Sequence, residues 1–178
     1  MLYLIYIDQQ ITQLINSLLP RNQILNLIFS FFSLVGVNIW IWILMIVLLF
    51  IFEENKNHRF LIYFLASFFL TSLLVNNILK TYFSRQRPFL KYNLSTNSCP
   101  HNSSFPSGHA ALAFSSAYIL ANFDKKRKNY YYLFALLISL SRIYLYCHFF
   151  FDVVSGGMIG IMVSILILKL APLTKYRS

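Results

Sequence analysis

From Ile24 to Phe52 the chain runs without one charged side chain, interrupted by polar groups only at Asn26, Ser30, Ser33 and Asn38. As one straight helix at 1.5 Å per residue this stretch would be about 44 Å long, against a hydrocarbon core of about 30 Å. It is therefore expected to break or tilt strongly near Gly36. Further apolar runs cover residues 60–78, 107–123, 130–146 and 150–170. Only 11% of the residues are charged, and 58% are hydrophobic. Soluble domains usually carry about 25% charge, so this chain lacks the polar surface to stay in water. The expected fold is all-α: a polytopic transmembrane bundle of about five spans, with the two chain ends on opposite faces.

Residues 5–19 read as an amphipathic helix ended by Pro20. Ile11, Leu14, Ile15, Leu18 and Leu19 recur at helical spacing with Gln10, Gln13 and Asn16 among them. Such a segment lies in the membrane interface or packs on the outside of the bundle. Asp8, Gln9 and Gln10 interrupt the apolar start, so no cleavable signal peptide is expected. No linker and no internal repeat divides the chain, which reads as a single membrane-embedded domain over 1–178.

Fifteen Lys and Arg stand against five Asp and Glu, a formal charge of +10. Nucleic acid is excluded as a partner because most of this charge sits beside apolar spans. One face would hold Lys56, Arg59, the Lys125–Lys128 cluster, Lys169, Lys175 and Arg177, which the positive-inside rule makes cytoplasmic. The other would hold Lys80, Arg85, Arg87, Lys91 and Arg142, with Arg21 nearby. Topology does not call for that second set, so a site for an anionic ligand does.

Three segments converge on this outer face: Lys80 to Arg87-Pro88, Pro106-Ser107-Gly108-His109, and Ser141-Arg142 with His148 and Asp152. The residue types suit phosphoryl transfer, whose transition state spreads negative charge over the equatorial oxygens. Lys80, Arg87 and Arg142 supply positive charge, the arginines through planar forks that match phosphate. Ser107 and Gly108 open a helix whose free N–H groups favour an anion. His148 and Asp152 are four apart; on one helical face, the carboxylate would fix the imidazole tautomer and leave the other nitrogen to attack phosphorus. His109 is then the general acid for the leaving oxygen. The expected intermediate is a phosphohistidine.

The order and spacing of these three segments resemble the signature of the type 2 phosphatidic acid phosphatase superfamily, which includes lipid phosphate phosphatases and vanadium haloperoxidases. The resemblance covers roughly residues 60–165. It implies a helical bundle and metal-independent hydrolysis with no cofactor. It also implies phosphate binding by Lys80, Arg87, Ser107, Gly108 and Arg142, and catalysis by His109, His148 and Asp152. Cys147 departs from the pattern, standing where many relatives carry a small residue such as glycine.

The small size, five-span layout and outward site look most like bacterial undecaprenyl pyrophosphate phosphatases. That would place the chain in a bacterial plasma membrane, recycling a lipid carrier for cell-wall biogenesis. Phosphatidylglycerol phosphate and phosphatidic acid phosphatases, a lipid phosphotransferase, and a catalytically silent lipid-phosphate binding or transport protein are the alternatives. The membrane lipid phosphate and the bilayer are the expected partners, and no protein partner is indicated.

Other residues are left open or unassigned. Arg85 and Lys91 either widen the positive field or sit among lipid phosphates. Cys99 and Cys147 fit no metal-ligand spacing and make no disulfide framework, although both fall on the outer side, which leaves a pairing open. His58 and His101 read as solvated loop residues. Phe149, Phe150 and Phe151 either line the lipid entrance or face lipid as ordinary packing.

Overall fold

A computed structural model describes residues 2–52, 59–94 and 99–170. Lys56, His58, Lys175 and Arg177 lie outside the described residues, as does the side chain of Arg59. Among the described residues all regular structure is helical. The order is α1 (Leu2–Leu18), α2 (Gln23–Ser33), α3 (Val35–Phe52), α4 (Arg59–Ser72), a π-helical stretch (Leu73–Leu79), α5 (Lys80–Phe83), α6 (Pro88–Lys91), α7 (Gly108–Phe123), α8 (Lys128–Tyr144) and α9 (Phe150–Leu170). Two continuous runs, Phe60–Lys91 and Phe150–Leu170, are long and apolar enough to cross a membrane; Gln23–Ser33 and Ile39–Leu49 are shorter apolar helices.

Helix α7 is the centre, packed against α4, α8 and α9. Its inward residues are small (Ala110, Ala111, Ala113, Ala117 and Ala121), so neighbouring backbones come close. Gly156 and Gly160 give α9 a groove of the same kind. A Cβ at Gly156 would strike the Ser107 carbonyl, and one at Gly160 the Ala111 carbonyl. Small residues at such crossings replace the hydrophobic drive that helices lack in lipid. A buried polar knot ties the same helices: Ser67 Oγ lies 2.8 Å from both Ser115 Oγ and Ser164 Oγ.

The long apolar run does break, at Leu34 (φ −66°, ψ 129°), two residues before Gly36. The break leaves the Ser33 carbonyl outside the helical ladder, and Arg142 Nη1 donates to it at 3.1 Å and also to the Ser33 hydroxyl. A tertiary partner thus sets its position.

Helix α1 is amphipathic, but its buried face is polar. Asp8, Thr12 and Asn16 are buried against α8 and the start of α9, while Leu4, Leu14 and Leu18 are exposed. Asn16 Nδ2 donates to Ile143 O at 3.0 Å, and Thr12 Oγ1 accepts from Phe150 N at 2.9 Å. In lipid this is the favourable way round, since hydrogen-bonding groups find partners only in protein.

Candidate functional site

All three motif segments meet at one end of α7. Lys80 opens α5, directly after the π-helical stretch. The chain then turns at Ser84 (φ 42°) and brings Arg87 in just before Pro88 starts α6. Ser107 is the N-cap of α7; its hydroxyl accepts from Ala110 N, and its own N–H donates to Asp152 O at 2.9 Å. Gly108 and His109 form the first turn of α7. Arg142 lies in the last turn of α8, and Asp152 in the first turn of α9.

His148 is not on the helix with Asp152. It sits in the connection before α9, where its N–H, like that of Cys147, donates to Arg142 O. Phe149 N donates to Asp152 Oδ2 at 2.9 Å, half of a capping box at the start of α9. The four-residue spacing still brings His148 Nδ1 to 3.8 Å from Asp152 Oδ2. Asp152 therefore both caps its helix and faces the imidazole.

Arg87 fixes the imidazole's other edge. Its Nη1 lies 3.1 Å from His148 Nε2. A guanidinium has no acceptor, so Nε2 must receive this bond and the ring proton belongs on Nδ1, towards Asp152. Burial first, and then the charges of Arg87, Arg142 and Lys80, hold the His148 pKa well below its usual 6.5. The ring is thus neutral at pH 7, with its lone pair directed at the basic cluster.

That cluster keeps its charge. Arg87, 1% exposed, donates only to neutral acceptors: Asn102 O at 2.8 Å, Asn102 Oδ1 at 2.6 Å, Ser103 O, Cys147 O and His148. Arg142 is equally buried, and its Nε and Nη2 have no partner among the described residues. His109 Nε2 is buried in the same condition. Buried arginines without carboxylates are costly in a membrane protein unless an anion joins them. Beside them a cavity of about 310 Å³ has Asn76, Lys80 and His109 at its polar end and Ile39, Trp42 and Phe68 among its apolar walls.

The remaining assignments divide. Arg85, left open by the sequence, faces carboxylates: its Nη1 lies 2.5 Å from Asp152 Oδ1 and its Nη2 2.6 Å from Asp8 Oδ2. Lys91 is exposed, as is His101, whose ring meets Phe89 edge-on. Phe149 lines no lipid entrance; it is buried beneath the Arg85 guanidinium, 4.3 Å away. Cys99 and Cys147 form a disulfide, which tethers the segment holding Arg87 to the residue before His148. Asp8, Asn76, Asn102 and Ser104 went unremarked as site residues. Only Asp8 carried a signal, as the head of the polar stripe Asp8, Thr12, Asn16 at four-residue spacing. Among the described residues no group of His, Cys, Asp and Glu is arranged to hold a metal ion.

Comparison with known proteins agrees with this geometry. A family model described as the PAP2 superfamily matches residues 60–175. The bacitracin transport permease protein BcrC of Bacillus licheniformis is 27% identical over 122 residues, 67% of this chain but 60% of that protein. The chain thus aligns with less than two thirds of that relative's length. Among solved structures, Aquifex aeolicus LpxE superposes with a TM-score of 0.73 at 32% identity, over 90% of this chain and 94% of that one. The first transmembrane PAP2-type phosphatidylglycerolphosphate phosphatase from Bacillus subtilis superposes with a TM-score of 0.65 over 99% of this chain and 90% of that one. At 20% identity, that second likeness concerns the fold alone.

Proposed function

The chain belongs to the PAP2 superfamily, and on that premise we propose that it is a multi-pass membrane phosphatase hydrolysing a lipid phosphate or diphosphate through a phosphohistidine at His148. The observation that carries the reading is the environment of that imidazole. Nε2 accepts from Arg87 at 3.1 Å within a cluster of unneutralised cations, and Nδ1 faces Asp152.

The substrate's phosphate oxygens displace Arg87 from Nε2 and take bonds from Arg87, from the unpartnered Nε and Nη2 of Arg142, and from Lys80. The Nε2 lone pair then attacks phosphorus. The bond to the leaving oxygen breaks, its electron pair stays on that oxygen, and His109 delivers a proton there. The charge arising on the imidazole is balanced by Asp152, whose 3.8 Å separation closes to a hydrogen bond. Water next attacks phosphorus while His109 recovers a proton from it, and the N–P bond breaks to release inorganic phosphate. The chemistry requires no metal. Ser107 and Gly108 add the N-terminal end of α7 to the anion site.

The lipid half of the reading is supported by the apolar cavity walls beside Lys80 and His109. Five spans in a bacterial plasma membrane, with the site on the extracytoplasmic side, fit the cationic loops under the positive-inside rule. Undecaprenyl pyrophosphate is the proposed substrate, on the chain's likeness in size and layout to phosphatases of that lipid.

The test is phosphate release by the purified protein from a panel of undecaprenyl pyrophosphate, phosphatidylglycerol phosphate and phosphatidic acid, with chelator present. The expected result is release that chelator leaves intact and that His148→Ala abolishes, fastest with the diphosphate. Dependence on a divalent metal, or full activity in His148→Ala, overturns the mechanism.

A further inference from the structure

Helix α1 lies outside the residues matched by the family model, yet one of its side chains ends two bonds from the proposed nucleophile's partner. Asp8 is 1% exposed and Asp152 is 0% exposed, and the Arg85 guanidinium lies between them. Nη2 donates to Asp8 Oδ2 at 2.6 Å and Nη1 to Asp152 Oδ1 at 2.5 Å, so one planar fork joins carboxylates from two helices. The fork itself is held: it rests on the Phe149 ring, Arg85 N donates to Ser103 Oγ at 3.0 Å, and Ser104 N donates to Arg85 O at 2.7 Å. The other oxygen of Asp8 accepts from Phe151 N at 2.7 Å.

Two consequences follow from this wiring. Arg85 occupies Oδ1 of Asp152, which leaves Oδ2 as the oxygen facing His148 Nδ1, steadied by Ser104 Oγ at 2.5 Å and Phe149 N. The second concerns charge. Arg85 alone would neutralise Asp152 and weaken it as a counter-ion for a cationic phosphoimidazole. With Asp8 on the other fork, the three groups carry one net negative charge. Arg85 and Arg87 are two residues apart but differ in task, one facing carboxylates and the other only neutral acceptors.

We propose that Asp8 and Arg85 are positioning residues for catalysis, a clamp that orients and charge-balances Asp152 and acts through it on His148. This makes α1 part of the catalytic unit, and it rests on His148 being the nucleophile. Arg85, Arg87 and His148 face Asp152, with Asp8 beyond the fork and Tyr92 beside Asp8; Arg87, Arg142, Lys80 and His109 face His148. Without Arg85, two buried carboxylates lose the cation between them and take up a proton more readily. A protonated Asp152 no longer supports the imidazole.

The experiment measures kcat, KM and the pH profile of full-length protein in detergent on a prenyl diphosphate. The variants are Arg85→Gln, Asp8→Asn, the two combined, Arg85→Lys, Thr12→Val and His148→Ala. Arg85→Gln is expected to lower kcat ~100-fold and Asp8→Asn ~10-fold, with KM within about twofold, in the range seen for supporting residues of active sites. The acid limb of kcat moves up by about one pH unit in Arg85→Gln, and the double variant is no slower than Arg85→Gln alone. Arg85→Lys restores kcat to within about tenfold of the unaltered protein. Thr12→Val removes a neighbouring contact of α1 without touching charge, and leaves the acid limb in place.

Losses that multiply in the double variant, or an acid limb that Thr12→Val moves as far as Arg85→Gln, overturn the proposal. Should Arg85→Gln fail to fold, an unchanged kcat and acid limb in both Arg85→Lys and Asp8→Asn overturn it equally. Full activity in His148→Ala defeats the nucleophile assignment itself. An inactive His148→Ala beside unaltered Arg85 and Asp8 variants defeats this inference alone.

Discussion

Alanine in place of Gly156 tests whether the crossing of α7 and α9 sets the catalytic geometry. The added Cβ overlaps the Ser107 carbonyl oxygen and lies 3.2 Å from both Ser107 C and Ser107 N. Every one of these atoms is backbone, and Ser107 N is itself bonded to Asp152 O at 2.9 Å, so no side chain can rotate away. Ordinary contact begins near 3.4 Å, which requires α9 to withdraw by about 1 Å at this level. Such overpacking costs about 1–3 kcal/mol. Asp152, one turn from Gly156, moves with α9 while Ser107 and His109 stay with α7, and a displacement of that size costs about 100-fold in rate. Gly160→Ala makes the same kind of overlap with Ala111 O but two turns from Asp152. Thermal unfolding in detergent and phosphate release separate the effects. Both variants should unfold several degrees lower at about 2–4 °C per kcal/mol, and Gly156→Ala should lose about tenfold more kcat than Gly160→Ala. Equal rate losses in the two variants, or an unaltered Gly156→Ala, would refute this account of the crossing.

Further outcomes follow from the site. Arg142→Lys keeps a cation but loses the fork whose Nη1 holds Ser33 O, so kcat/KM should fall about 10–100-fold in steady-state assays. Removing the Cys99–Cys147 disulfide by paired serine substitutions frees a loop with a sequence separation of 48 and should cost up to about 4 kcal/mol in denaturant unfolding. The pKa of folded His148 lies well below the 6.5 of the unfolded chain, so below pH 6.5 the unfolded chain binds more protons at this site. Stability from this residue is therefore complete above pH 6.5 and is lost as pH falls towards the folded value. His148→Gln should flatten the decline in unfolding free energy measured between pH 7 and pH 5.

The apolar runs made the helices legible, because length and absence of charge are local properties. Residues 150–170 and the end of the third run at Phe123 were placed to the residue. The break between α2 and α3 fell at Leu34 because Arg142 takes the Ser33 carbonyl, a contact between residues 109 positions apart. The motif residues gather as their spacing predicts, except that His148 precedes α9 and meets Asp152 through a capping turn. The burial of the polar stripe of α1 follows from the solvent: in lipid, the apolar side of such a helix faces outward. Neither the role of Arg85 nor the disulfide was legible, since both depend on how the loop before α7 folds back over the site. The π-helical stretch that precedes Lys80 leaves no period that hydropathy could reveal.

Trapping the intermediate tests the central claim most directly. The protein is mixed with a lipid phosphate radiolabelled at the terminal phosphorus, quenched in alkali within the first turnover, and digested for mass spectrometry. The account predicts an acid-labile, alkali-stable phosphoryl group on the peptide containing His148, absent in His148→Ala. Label on any other residue, or turnover in which His148 never carries phosphate, would contradict it.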